Sequence, residues 1–140
     1  MSVFIVDAST GIKWFVPEVH QADAQRLQNA TFQLHIPTLF DVEIGNILWK
    51  KIRRGELTRA EADAVVAQLP ALPLSRHAEA PLLPKAFDLA VQLQRTVYDC
   101  LYLALAVQLN GRMVTADQKL HNALSATPFA SYLCWIANVP

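Results

Sequence analysis

The run Val3-Phe-Ile-Val6 is apolar at every position, mostly β-branched, and stops abruptly at Asp7. A strand with no polar alternation is buried on both faces, which is the situation of a strand inside a parallel sheet. Similar short runs recur at Leu34–Ile36 and Arg112–Thr115, with further strands expected at Leu72–Leu74 and within Ser131–Ile136. Helical segments lie between them. Asp7 opens one that runs to Phe15, Gln21–Asn29 forms another, and a long one extends from Thr38 to Arg54 and stops at Gly55. Thr58 opens a helix ending before Pro70, Leu82–Gln94 is helical, Thr96 opens an apolar helix to Leu109, and Asp117 opens the last, to Ser125. Thr38 with Asp41, Thr58 with Glu61 and Thr96 with Asp99 have capping-box spacing. Strands alternating with helices predict an α/β fold, a parallel sheet covered on both faces. With 140 residues and no linker or low-complexity tract, residues 1–140 are expected to form one domain.

In such sheets ligands bind beyond the carboxyl ends of the strands. Asp7 and Asp117 each stand just after a strand. Either alone is explained as a helix cap, but two acids at equivalent strand ends are harder to dismiss. Asp99 begins a helix that continues Cys100-Leu-Tyr-Leu-Ala-Leu-Ala-Val107, apolar on most sides and therefore buried. Its amino end is expected near the interior. Glu43 sits on or beside the buried stripe of the Thr38 helix, which Leu39, Val42 and Ile47 are taken to form. No Lys or Arg falls at helical spacing to pair with it, and Glu is rarely buried unpaired. Asp41 is read as a cap.

If these four acids converge, two like charges about 4 Å apart cost roughly 4 kcal/mol at an effective dielectric of 20. A hard divalent cation relieves that, and Mg²⁺ or Mn²⁺ suits an all-carboxylate site. No His or Cys clusters with the acids, which disfavours zinc. Carboxylate-held Mg²⁺ is suited to phosphate chemistry. Cys100 and Cys134 make neither a disulfide framework nor a metal cluster, and the absence of an apolar leader or spanning segment predicts a reduced, cytoplasmic protein with no membrane association.

The motifs Val6-Asp7-Ala-Ser9, Asp41-Val-Glu43-Ile-Gly-Asn46, Val97-Tyr-Asp99-Cys-Leu-Tyr-Leu-Ala104 and Val114-Thr-Ala-Asp117 resemble, in order and spacing, those of PIN-domain nucleases. The likeness extends from Val3 to about Leu124 and is greatest to VapC-type toxins of toxin–antitoxin pairs. The resemblance implies a three-layer α/β/α sandwich and a Mg²⁺- or Mn²⁺-dependent endoribonuclease. It implies a cognate antitoxin protein that blocks the site, and a homodimer. It carries over Asp7, Glu43, Asp99 and Asp117 as the catalytic, metal-binding acids, with Ser9, Asn46 and Thr115 in support. The last motif continues Gln118-Lys119, where many relatives carry Arg.

Formal net charge is zero. Setting aside the four site acids leaves eight acids against twelve Lys and Arg, so the remaining surface is about +4. Lys13 and Lys119 are the expected phosphate contacts. Lys50, Lys51, Arg53 and Arg54 end the Glu43 helix, where the macrodipole favours cations, or where they follow a phosphate backbone. The helix from Thr58 to Leu69 and the Trp14-Phe15 region are candidate partner surfaces. Alternatives are a non-toxin PIN nuclease acting on RNA or DNA, and a catalytically inactive binding module. A phospho-receiver domain would need adjacent acids after the first strand, and a haloacid-dehalogenase phosphatase a second acid where Ser9 stands.

Overall fold

A computed structural model describes residues 2–140; Met1, the first residue of the apolar start, lies outside the described residues. The strands β1 (Ser2–Val6), β2 (Phe32–Pro37), β3 (Ser75–His77), β4 (Arg112–Thr115) and β5 (Leu133–Trp135) form one sheet in the order β3-β2-β1-β4-β5. Every pairing is parallel. Around it lie α1 (Ala8–Gly11), α2 (Gln21–Arg26), α3 (Leu39–Arg53), α4 (Arg59–Gln68), α5 (Leu83–Leu93), α6 (Val97–Leu109) and α7 (Gln118–Ser125), completing a three-layer α/β/α sandwich. No helix among the described residues is long and apolar enough to cross a membrane.

β1 is central because Phe4, Ile5 and Val6 are all buried, as a strand covered on both faces requires. α6 is buried continuously from Cys100 to Ala106 and packs between the sheet and α5. It ends at Asn110, whose left-handed backbone (φ 51°) caps it. Gly111 follows because a Cβ there would meet the Val3 carbonyl oxygen at 2.8 Å.

The chain departs from expectation in several places. β3 occupies Ser75–His77 rather than Leu72–Leu74; Pro73 has no N–H to give a ladder. The first helix is split, with α1 followed by a tight 3₁₀ turn at Ile12–Trp14, and α2 stops at Arg26. The last strand is only Leu133–Trp135, flanked by 3₁₀ turns. The Thr58/Glu61 box forms in full. The Thr38/Asp41 box does not, since Thr38 Oγ1 donates to Glu79 Oε1 (2.7 Å) and Asp41 is ion-paired to Arg76 (2.9 Å). On α3 the buried residues are Phe40, Ile44 and Leu48, whereas Val42 is 69% exposed.

Candidate active site

The strand order reverses at β1, whose neighbours are β2 and β4. The crevice at such a switch point opens beyond the carboxyl ends of β1 and β4. Asp7 directly follows β1, and Asp117 lies two residues past the end of β4.

Asp7 is 6% exposed and caps α1, with Oδ1 accepting from the Thr10 N–H at 3.0 Å. The same oxygen accepts from Ser9 Oγ at 2.7 Å, and Oδ2 accepts from Thr115 Oγ1 at 2.5 Å. The hydroxyls are themselves held by β4 and its extension. Thr115 Oγ1 accepts from the Asp117 N–H (3.1 Å), and Ser9 Oγ accepts from the Ala116 N–H (3.1 Å). Ser9 and Thr115 thus tie the two strand ends into one cradle. Burial pushes the Asp7 carboxyl up to about 6, against the lowering effect of these hydrogen bonds. Asp117 caps α7, its Oδ1 accepting from the Leu120 N–H at 3.1 Å.

Asp99 lies in the first turn of α6, where its N–H donates to Thr96 Oγ1 at 3.1 Å. Its carboxyl is held above the usual range, first by burial and then by the charge of Asp117, against a hydrogen bond from Thr96 and the cation of Arg95. Glu43, half-buried on α3, accepts from Tyr102 Oη at 2.5 Å. Burial raises its carboxyl, the Tyr102 hydrogen bond opposes this, and the charge of Asp99 adds to the rise. Tyr102 was not singled out from the sequence. It lies one helical turn after Asp99 and is the single strongly polar side chain in the run Leu101–Ala106, which was the available signal. Its phenol is pushed far up by burial and by the charges of Glu43, Asp7 and Asp99, so it stays a donor.

Each acid is therefore felt by another or by Tyr102. None of the four is ion-paired among the described residues, although seven other ion pairs are present. The donor set is anionic oxygen throughout, which fits a hard divalent cation. No three acidic, His or Cys side chains among the described residues form a ready ligand cluster. Mg²⁺ does not require one, because it keeps several waters and takes one or two carboxylates directly.

Asn46 is exposed and lines, with Glu43, Lys50 and Tyr98, a groove of about 470 Å³. Lys119 is exposed at the start of α7. Lys13 does not reach for phosphate: it is 9% exposed and ion-paired to Glu18 at 3.1 Å. Cys100 and Cys134 are buried free thiols, the former pushed up to about 11 by burial and the nearby Asp99. The two candidate partner surfaces meet: Trp14 and Phe15 face Glu61, Ala64, Val65 and Gln68 of α4 across a groove of about 370 Å³.

Residues 4–124 match the model of the PIN domain, so the chain belongs to the PIN-domain family. Within that class it is similar to proteins named ribonuclease VapC. It is 37% identical over 118 residues to ribonuclease VapC3 of Pyrobaculum aerophilum, covering 83% of this chain and 90% of that one. It is 32% identical over 119 residues to ribonuclease VapC3 of Mycobacterium tuberculosis, covering 85% of each. Among solved structures, a Pyrobaculum aerophilum protein superposes with a TM-score of 0.68 at 25% identity, covering 87% of this chain and 79% of that one. Mycobacterium tuberculosis VapC20 shares the fold, with a TM-score of 0.65 at 17% identity, covering 86% and 94%.

Proposed function

We propose that this protein is a divalent-metal-dependent endoribonuclease, the toxin of a toxin–antitoxin pair, hydrolysing RNA at Asp7, Glu43, Asp99 and Asp117. The observation that carries the reading is that Asp7, Glu43 and Asp99 are each raised by burial, that the charge of Asp99 adds to Glu43 and that of Asp117 to Asp99, and that none of the four is ion-paired among the described residues. Two relatives above 30% identity over most of the chain are named ribonucleases, which supports RNA as the substrate.

A bound Mg²⁺ or Mn²⁺ would offset the phosphate charge and lower the pKa of an attacking water. The chain's own residues prepare for it. Ser9, Thr10 and Thr115 fix both oxygens of Asp7, so little ordering remains to be done on binding. Tyr102 orients Glu43 and keeps it from turning outward along α3. Asp117, whose charge raises Asp99, holds negative charge with it at the mouth. Asn46 and Lys119 are supporting contacts to the substrate. An antitoxin that occupies the apolar groove between Trp14-Phe15 and α4, and a homodimer, belong to the same proposal.

The test is cleavage of labelled RNA by purified, EDTA-treated protein. Cleavage is expected on adding Mg²⁺ or Mn²⁺, and is expected to vanish in Asp7→Asn and Asp99→Asn while circular dichroism is unchanged. Wild-type rates in either variant, or undiminished cleavage in EDTA, refute the site. Expression is expected to arrest growth, with rescue by an adjacent small open reading frame; harmless expression with active RNA cleavage leaves a non-toxin nuclease.

A further inference from the structure

Four basic residues end α3, and they do not behave alike. Lys51 is neutralised, at 2.6 Å from Glu18 and 3.5 Å from Glu56. Lys50, Arg53 and Arg54 instead line a hollow of about 270 Å³ to which no acid contributes. None of the three is ion-paired among the described residues. Arg53 lies over the half-exposed Trp49 ring, with Cζ 4.8 Å from its centroid, so its guanidinium is held at the surface. The macrodipole accounts for cations at a helix C-terminus. It does not account for three of them sharing one concavity with no counter-charge.

That hollow adjoins the groove beside Glu43 through Lys50. Lys50 also lines the groove that contains Glu43, Asn46 and Tyr98. Glu43, Asn46, Lys50 and Arg53/Arg54 recur every three to four residues, and so follow one face of α3. At 1.5 Å per residue, Lys50 is about 10 Å and Arg54 about 16 Å along the axis from Glu43. The basic residues thus lie along the helix beyond the acid, where the backbone of a single strand leaving the site would run. Tyr98, 62% exposed on the opposite wall and adjacent to Asp99 in sequence, offers a ring on which a base can stack.

We propose that the face of α3 from Glu43 to Arg54 carries the single-stranded RNA flank on one side of the scissile phosphate, with Lys50, Arg53 and Arg54 holding its phosphates and Tyr98 stacking a base. This rests on the nuclease reading. It assigns the substrate a direction out of the acid cluster.

The test compares the chain with its Lys50→Gln/Arg53→Gln/Arg54→Gln form, both carrying Asp7→Asn for binding and both with native Asp7 for cleavage. The probe is a fluorescein-labelled, single-stranded RNA of mixed sequence, roughly 12 nucleotides long, titrated by anisotropy at roughly 50 to 300 mM salt. Each phosphate contact contributes about 0.7 to the slope of log affinity against log salt on a single strand, so three lost contacts reduce the slope by about 2. Binding at the lowest salt is expected to weaken about tenfold or more, and in cleavage KM rises with kcat unchanged. Tyr98→Ala is expected to weaken binding without changing the slope. Lys85→Gln, which removes one exposed cation on α5, controls for bulk charge.

An unchanged slope and KM in an active triple variant overturns the path and leaves the nuclease reading standing. A fall in kcat at constant KM overturns it as well. Unchanged RNA binding with loss of co-purification of a co-expressed antitoxin assigns the hollow to an acidic protein segment instead. Absence of any cleavage by the unmodified chain with Mg²⁺ or Mn²⁺ is a failure of the nuclease reading itself.

Discussion

Asp7→Asn should change stability in opposite directions at low and neutral pH. A buried carboxyl raised from 3.8 to about 6 holds its proton more tightly in the folded chain than in the unfolded one. Below about pH 3.8 both states are protonated and the group costs nothing. As pH rises toward 6 the unfolded chain releases its proton first, so stability falls. The rise of about 2.2 pH units, at 1.36 kcal/mol per unit, makes the loss about 3 kcal/mol by pH 7. Asparagine removes this loss but presents an amide to Thr115 Oγ1 in place of an acceptor, which costs about 1 kcal/mol. In EDTA the variant should therefore be about 1 kcal/mol less stable than the native chain near pH 3 and about 2 kcal/mol more stable near pH 7. Urea unfolding across that range reads the difference directly. Glu43 and Asp99 are raised too, but Asp7 is not among the charges that raise them, so they largely cancel in the comparison. Adding Mg²⁺ at about a hundred times its Kd should return about 2.7 kcal/mol to the native chain and nothing to the variant. Parallel stability curves for the two proteins between pH 4 and 7 would refute the account of Asp7 as a destabilising, unpaired buried acid.

Tyr102→Phe removes the one side-chain donor to Glu43 among the described residues. A hydrogen bond to a charged group is worth about 1.5 kcal/mol or more, so the Mg²⁺ concentration giving half-maximal cleavage should rise about tenfold; an unchanged value means the phenol does not position Glu43. Gly11→Ala drives a Cβ to 2.5 Å from two ring carbons of the fully buried Phe40, and urea unfolding should register a loss of about 1–3 kcal/mol. At sub-saturating Mg²⁺, kcat/KM should fall as pH drops through about 6, where Asp7 takes up a proton in competition with the ion. Raising Mg²⁺ should shift that fall to lower pH, and a fall indifferent to Mg²⁺ would place the titrating group elsewhere.

What was legible in the chain was local. The apolar run before Asp7, the Thr58/Glu61 box and the Asn110-Gly111 stop are all decided by neighbours in sequence, and all form as expected. What was not legible depends on residues far apart. Thr38 and Asp41 have the spacing of a box, but Glu79 and Arg76, some forty residues on, take both side chains. Apolar residues on α3 surround most of the helix, so spacing alone did not decide between a stripe through Val42 and one through Ile44. Leu72–Leu74 is more apolar than Ser75-Arg-His77 and so reads as the strand in the sequence. An edge strand with one neighbour needs little apolar surface, so the cue was misleading. Lys13 lies close to Asp7 in sequence, but Glu18 holds it. Tyr102 was hidden by the apolarity of its own helix.

A capping role leaves Asp7 free to act as a ligand as well. A carboxylate has about four lone-pair positions, and capping uses one. Asp7 spends Oδ1 on the Thr10 N–H and Ser9, and one position of Oδ2 on Thr115, leaving one for a ligand. Capping fixes the carboxylate at the amino end of a helix, and the cradle aims it; both lower the entropy that a bound ion would otherwise have to remove. Were capping the whole purpose, Ser or Asn would serve α1 equally well without placing a charge in a buried position that raises its own pKa. An ionisable group there, close enough for its charge to raise Tyr102 and without an ion-paired cation among the described residues, is what the proposed divalent cation would balance.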